Sequence, residues 1–494
     1  MTNRNRPHGR RLVLLSAVAL TAVALVIGGL VLLRGGKPEE SPSAAPETAA
    51  STEAALSSEG GEGCVRTEAS GASDTEAPER VVPAGYSAFD YNKLADFLDL
   101  TDGAGVRNGE KLDPSYDPND PATWGSVPSQ YEVVWEPLAD GELHLASIVY
   151  SFPEDTLLAG CLDLSGCAAL RELTLFNGVA ALCVDGCPAL TSVDCSDDPM
   201  TELSVRDCPA LTDLCAIDCG LRSFRMENCP ALLTLHVYRN PLTEFSVTGS
   251  EKLDRLCLMQ DALTELDLSG FPALTDLDVR GNRLTELDLT PCPELVALLL
   301  NENDFTHLDL SPCRKLEMLD CNMLEITELD LSHCESLRSL SLARDASLKS
   351  LDLSRCPALR QLDLSDLPLS SLDLSACPDL ESVVIQETGI SELDLSDKKE
   401  LALFSSFGNP LKRLALAGCD KLGIGGVRVE GVGTLDVQLS KNERCSVAVK
   451  PGYGYEFRGW YDEDGKALQA ELQTENEIWF YAGSYDHIVA VFGK

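Results

Sequence analysis

Leucine recurs along the middle of the chain at a nearly fixed interval. Aligned on LDLSxCPAL, one position of the pattern falls at Cys167, Cys187, Cys208, Cys229, Ser250, Phe271, Cys292, Cys313, Cys334, Cys356, Cys377, Lys398 and Cys419. The gaps are 20, then seven of 21, then 22, then three of 21 residues. Phase drift that small marks a true internal repeat. Twelve full units run from Leu170 to Lys421. In the unit 274–294, LTDLDVRGNRLTELDLTPCPE, the inward candidates are Leu274, Leu277, Val279, Leu284, Leu287 and Leu289, with Asn282 between the halves. Alternation sends Leu277 and Val279 one way and Asp276, Asp278 and Arg280 the other, as in a short strand with one wet face. Leu287 and Leu289 against Glu286 and Asp288 repeat this in the second half. One coil cannot shield its own leucines, whereas stacked coils bury a continuous core. The pattern predicts a β-rich solenoid of twelve coils of about 21 residues, with short strands on two faces.

Outside the repeat the pattern changes four times. Residues 12–33, LVLLSAVALTAVALVIGGLVLL, carry no charge. As a helix they span roughly 33 Å, enough for a ~30 Å hydrocarbon core and too long for a cleavable signal peptide. Arg4, Arg6, Arg10 and Arg11 precede this run. The positive-inside bias therefore predicts a signal anchor with residues 1–11 cytoplasmic and 34–494 outside the cell. Residues 34–80, rich in Glu, Ser, Ala, Gly and Pro, read as a disordered linker. Residues 81–169 read as an α+β N-terminal cap. In it AFDYNKLADFLDL predicts a helix with Phe89, Leu94, Phe97 and Leu98 on one face, followed by a Pro- and Asp-rich loop and YEVVWEPLADGELHLASIVY with strand alternation. The solenoid occupies 170–422, and 423–494 read as a small all-β module.

The repeat matches L-x-x-L-x-L-x-x-N/C-x-L and resembles the leucine-rich repeat family in its bacterial, internalin-like 21-residue form. The resemblance implies a curved solenoid whose parallel strands line a concave face, with ligands held there. Both half-units fit the motif; the concave strand is assigned to the half bearing Asn240, Asn282, Asn303 and Asn409. The cap, with Trp124, Trp135 and Gly141, is similar to the helix-and-hairpin caps that precede such arrays. PGYGYEFRGWYDEDGKAL, with Gly452, Tyr453, Phe457, Gly459, Trp460, Tyr461, Asp464 and Gly465, and the closing HIVAVF resemble an internalin B-type repeat.

Composition narrows the function. Lys and Arg number 39 against 79 Asp and Glu, for a net charge of −40. A surface that acidic repels phosphate backbones and argues against nucleic-acid partners. The 19 cysteines sit in a chain expected to be exported, where cysteines usually pair. Ten of them share one repeat position, where buried thiols acting as small hydrophobes are expected. Cys183 and Cys187 lack a second pair at zinc spacing. The loop acids Asp113, Asp117 and Asp120, and Asp462 with Asp464, read as solvated turns rather than calcium ligands. Asp267, Asp288, Asp309, Asp330, Asp352, Asp373 and Asp394 recur on seven consecutive coils. Their mutual repulsion is expected to raise some pKa values or gather cations.

No catalytic constellation is present: the histidines are scattered, and there is no H-E-x-x-H, G-x-S-x-G or P-loop. The expected function is non-catalytic, cofactor-free and metal-free: cell-surface binding or adhesion through an extracellular or surface protein ligand. A glycan-binding module or a structural envelope component is the alternative. The binding candidates are outward positions that depart from the prevailing Ser, Thr and Asp, namely Ile217, His236, Tyr238, Arg255, Met259 and Arg280. Exposed aromatic, Met and Arg side chains are the usual anchors of protein contacts.

Overall fold

The computed structural model describes residues 80–494 apart from 128–130, 153–155, 423, 442–443, 469–472, 475–476, 482–483, 485 and 494. The predicted cytoplasmic tail, membrane span and all but the last residue of the linker lie outside the described residues. Among those described, no helix is long and apolar enough to cross a membrane.

The cap opens with α1 (Ala88–Leu98), whose first turn is capped by the Ser87 hydroxyl accepting from the Asp90 amide. Its buried face is Tyr91, Leu94, Ala95, Phe97 and Leu98. Phe89 is a correction: it lies on the solvent side, 54% exposed, because Tyr91 supplies the aromatic of the inward stripe. After a second short helix, α2 (Asn108–Leu112), the chain reaches β1 (Ser126–Val127) and the antiparallel hairpin of β2 (Tyr131–Pro137) and β3 (Leu143–Ser151). Gly141, at φ 82°, makes its turn. Trp124 is buried beside Tyr91, with ring centroids 4.5 Å apart. Asp113, Asp117 and Asp120 accept from the backbone N–H groups of Ser115, Asn119 and Ala122. Those carboxylates hold their own loop, as expected of turns.

β3 then pairs in parallel with Glu172–Phe176, the first strand of the repeat. From there one strand per coil runs to Leu403–Ser405, twelve parallel strands in register. Leu256, Leu277, Leu298, Leu319 and Leu340 are direct neighbours in that ladder and all buried. The continuous sheet therefore belongs to the half bearing Asn240, Asn282, Asn303 and Asn409. The predicted interior is sealed, except that Leu287 is only half-buried against it.

The second half behaves differently from the expected uniform strand. It forms five-residue strands at Glu202–Arg206, Ser223–Glu227 and Glu244–Thr248, where Ser204, Arg225 and Ser246 stand mid-strand. From Asp267 to Asp394 that position is Asp, and its carboxylate accepts the backbone N–H two residues on, at 2.8 Å for Ser269 and 2.9 Å for Thr290. This local turn withdraws the donor from the ladder. Coils 249–391 accordingly show no second-half strand among the described residues, and Glu392–Asp394 stops at its Asp.

A left-handed residue recurs at one position of every coil, including Asp197, Asp218, Arg239, Gln260, Gly281, Glu302, Met323 and Arg344 at φ 57–70°, and some coils carry a second, as at Asp207, Asn228 and Asp397. Its N–H donates to the next coil, as in Asp197 to Ile217 O at 2.8 Å and Arg239 to Met259 O at 2.8 Å. That bond holds non-glycine residues in a conformation costing about 1–2 kcal/mol each.

All ten ladder cysteines are free and buried. Several donate to the preceding coil, as Cys208 Sγ does to Val184 O at 3.1 Å and Cys419 Sγ to Leu395 O at 3.0 Å. Burial pushes the Cys292 and Cys334 thiols up to about 11. Cys161, outside the ladder, is disulfide-bonded.

The C-terminal segment continues both walls. Gly433–Ser440 pairs antiparallel with Leu403–Ser405, and Gly426–Glu430 with Arg413–Ala415. Phe457, Trp460 and Phe492 pack together at 4.9 and 5.7 Å between ring centroids. Asp462 and Gly465, at φ 79°, form the expected hairpin turn, with Asp462 accepting from the Lys466 amide.

The position between the halves carries a second ladder. Asn240 accepts from Cys219, Gly220 and Leu221 N–H and donates to Ala216 O; Asn282 and Asn303 donate likewise to Leu258 O and Val279 O. Asp198, Asp261 and Asp345 replace Asn in this series, and both Asp345 oxygens accept backbone N–H groups, from Ser347 and Ile326. In Asp198 and Asp261 one oxygen accepts backbone N–H, while Oδ2 is buried with no partner. Burial pushes Asp198 up to about 6 and Asp261 up to about 8. A folded-state pKa above the ordinary 3.8 means stability that is present at acid pH and lost as pH rises through those values. Asp261→Asn restores the missing donor. It is expected to raise the urea midpoint at pH 8 by the equivalent of about 1–3 kcal/mol and to change little at pH 4. Met323→Gly, relieving a left-handed side chain, is expected to add up to about 1 kcal/mol at either pH.

Candidate functional site

Alternation along the long sheet leaves three outward columns: the two residues flanking each buried leucine and the residue two beyond the strand. Thr234 and His236, Arg255 and Cys257, and Asp276 and Asp278 are in register on three neighbouring strands. Ile217, Tyr238, Met259 and Arg280 form the third column. Their carbonyls accept in turn from Asp197, Asp218, Arg239 and Gln260, at 2.8, 3.0, 2.8 and 2.7 Å. The structure thus brings all six candidates onto one face within four coils.

Their states differ. Arg255 is the more exposed cation of the set, 53% exposed and in a long ion pair with Asp254 at 3.8 Å. Arg280 is not free: Nε and Nη2 bind both Asp278 oxygens at 2.9 and 2.7 Å, and Nη2 reaches Met259 Sδ at 3.7 Å. Its expected role as an open anchor is corrected accordingly: the guanidinium is a strut between columns. Tyr238 is half-buried, its ring 6.3 Å from that of His236. Desolvation, with help from the Arg255 charge, holds His236 below its ordinary value, so its imidazole is neutral at pH 7.

The sequence reading missed Cys215, whose Sγ lies 3.9 Å from His236 Nδ1 on the adjacent strand. Its repeat position was the available signal: Cys215 and Cys257 occupy the outward column on either side of His236, off the buried ladder. Asp320 was missed too; it is a buried carboxylate pushed up by desolvation, and its charge acts on Arg280.

The acidic ladder overturns the expectation of raised pKa values. Asp267, Asp288, Asp309, Asp330, Asp352, Asp373 and Asp394 all lie below the ordinary carboxylate range, held there by backbone and hydroxyl hydrogen bonds. Solvent screens their mutual repulsion, and the turn each one caps favours its charged form.

No family profile and no curated protein matches the chain. Among solved structures it is similar to the functional domain of InlJ from Listeria monocytogenes, described as including a cysteine ladder. That likeness has 23% identity over 70% of this chain and 85% of that one, with a TM-score of 0.46. It is also similar to YopM from Yersinia enterocolitica, at 21% identity over 55% of this chain and 66% of that one, with a TM-score of 0.39. A leucine-rich repeat protein of Leptospira interrogans shares 16% over 46% of this chain and 74% of that one, with a TM-score of 0.37.

The geometry predicts a chemical footprint. Cys215 is the one partly exposed free thiol among the described residues. Brief iodoacetamide treatment of the native chain followed by peptide mass spectrometry is expected to label Cys215 first, and ladder cysteines only after denaturation.

Proposed function

We propose that this chain is a non-catalytic, membrane-anchored surface protein that holds a protein ligand against the outward face of coils 213–280. The observation that carries this reading is the column Ile217, Tyr238 and Met259 beside the exposed Arg255, whose ion pair with Asp254 is long, at 3.8 Å. It gives an apolar, aromatic strip with one available cation, on a sheet otherwise lined largely by Ser, Asp and Asn. Such a strip offers area to desolvate and a charge for orientation, the usual make-up of a contact centre. A glycan ligand would favour a row of tryptophan or tyrosine platforms, and Tyr238 has neither beside it; Phe176 and Phe407 share its column only near the ends of the sheet. A purely structural envelope role would favour uniform coils, which describes 286–394 better than 213–280. The anchor rests on residues 12–33 and their flanking charges.

Capture of partners from cell-surface extracts by the full chain tests this reading. Tyr238→Ala and Arg255→Ala, each keeping the native circular dichroism spectrum, are expected to weaken capture about tenfold or more. Retention of wild-type binding by both variants would remove the patch.

A further inference from the structure

We propose that the tip of the β2–β3 hairpin binds one divalent transition-metal ion of the zinc class through His144, Asp140 and Glu142, with Asp90 of α1 orienting the histidine. The site goes beyond the binding face above and lies in the cap.

The segment reads Asp140-Gly141-Glu142-Leu143-His144. Residues two apart in extended chain share a face, so Glu142 and His144 point together as β3 begins. The Gly141 turn brings Asp140 round to join them. One ligand atom from each of the three lies within 4.8 Å of the other two. His144 Nε2 is 2.9 Å from Asp140 Oδ2.

The histidine is prepared from behind. Its Nδ1 lies 3.0 Å from Oδ2 of Asp90, a carboxylate only 1% exposed that also accepts the Leu145 N–H at 3.0 Å. An acceptor fixed there keeps the proton on Nδ1 and aims the Nε2 lone pair at the two hairpin acids. A carboxylate behind a ligating histidine is the arrangement that orients the ring and raises its basicity. Glu142 forms no ion pair among the described residues, so its charge is available to a cation.

One imidazole with two carboxylates suits zinc-class ions and leaves a position for water. Calcium, which takes about 6–8 oxygens, gains little from a nitrogen donor.

Chelator-stripped full-length chain, titrated with Zn²⁺ by calorimetry and with Co²⁺ by visible absorption, tests the site. The expected result is one equivalent bound and d–d bands without thiolate-to-cobalt charge transfer. His144→Ala should abolish that equivalent and Glu142→Gln should weaken it. Asp90→Asn should weaken it about 10–100-fold. Glu142 is exposed, so Glu142→Gln tests coordination even where the buried Asp90 variant loses its fold. Absence of saturable binding overturns the proposal, as do binding that survives His144→Ala and Glu142→Gln, thiolate bands, or Ca²⁺ matching Zn²⁺.

Discussion

Everything in this molecule depends on the hydrogen bond from one coil to the next. A 21-residue step returns the backbone to the same place one strand spacing along, so each N–H meets a carbonyl of its neighbour. Asp213 through Leu403 all obey that register. Because the step stays within one residue of 21, one apolar residue, usually leucine, lands on the previous one, and the core is sealed without any coil having a core of its own. The cost is carried at one turn per coil, where residues such as Glu302 and Met323 are held left-handed. Ladder bonds on both sides over-determine that turn, which explains why glycine is needed there only at Gly281 and Gly408 among the coils described.

The same constraint decides which polar groups are tolerated and where. An Asp after the second-half leucine faces water and spends its oxygen on the amide two residues on, so it is depressed in pKa and shortens the strand. An Asp between the halves, as at 198 or 261, faces the interior and lacks the donor that Asn240 or Asn282 provides, so it is raised. One residue type thus has opposite proton linkage at two positions of a single repeat. The exposed set contributes stability above the ordinary carboxylate pKa and loses it as pH falls. The buried pair works in reverse.

Much of this was legible in the sequence because periodicity reports burial directly. Leu277 and Val279 could be placed inward, Cys292 into a buried ladder and Tyr238 outward from spacing alone. Other features depend on partners that spacing does not encode. Phe89 shares the helical stripe on paper, yet Tyr91 takes the inward position against Trp124. Arg280 reads as an exposed cation until Asp278, two residues away on the same face, is seen to grip it. The second-half strands were read as uniform because leucine spacing there is uniform; the carboxylate of Asp267 or Asp288, competing for an amide, is what ends them.

The coils with both walls laddered are largely those that carry the candidate site. Five-residue second-half strands end at Glu244–Thr248, and within the same stretch the long sheet presents Cys215, His236, Tyr238 and Arg255. Phe224 and Phe245 stack on the second half at 5.8 Å between ring centroids. Two laddered walls and a ring stack restrain these coils more than their successors, which have one sheet and a row of turns. A contact face gains affinity when its side chains are held before the partner arrives. Departure from the consensus on the outward columns and a laddered opposite wall therefore coincide over coils 202–257, where both walls hold the side chains of Cys215, His236 and Tyr238 in place.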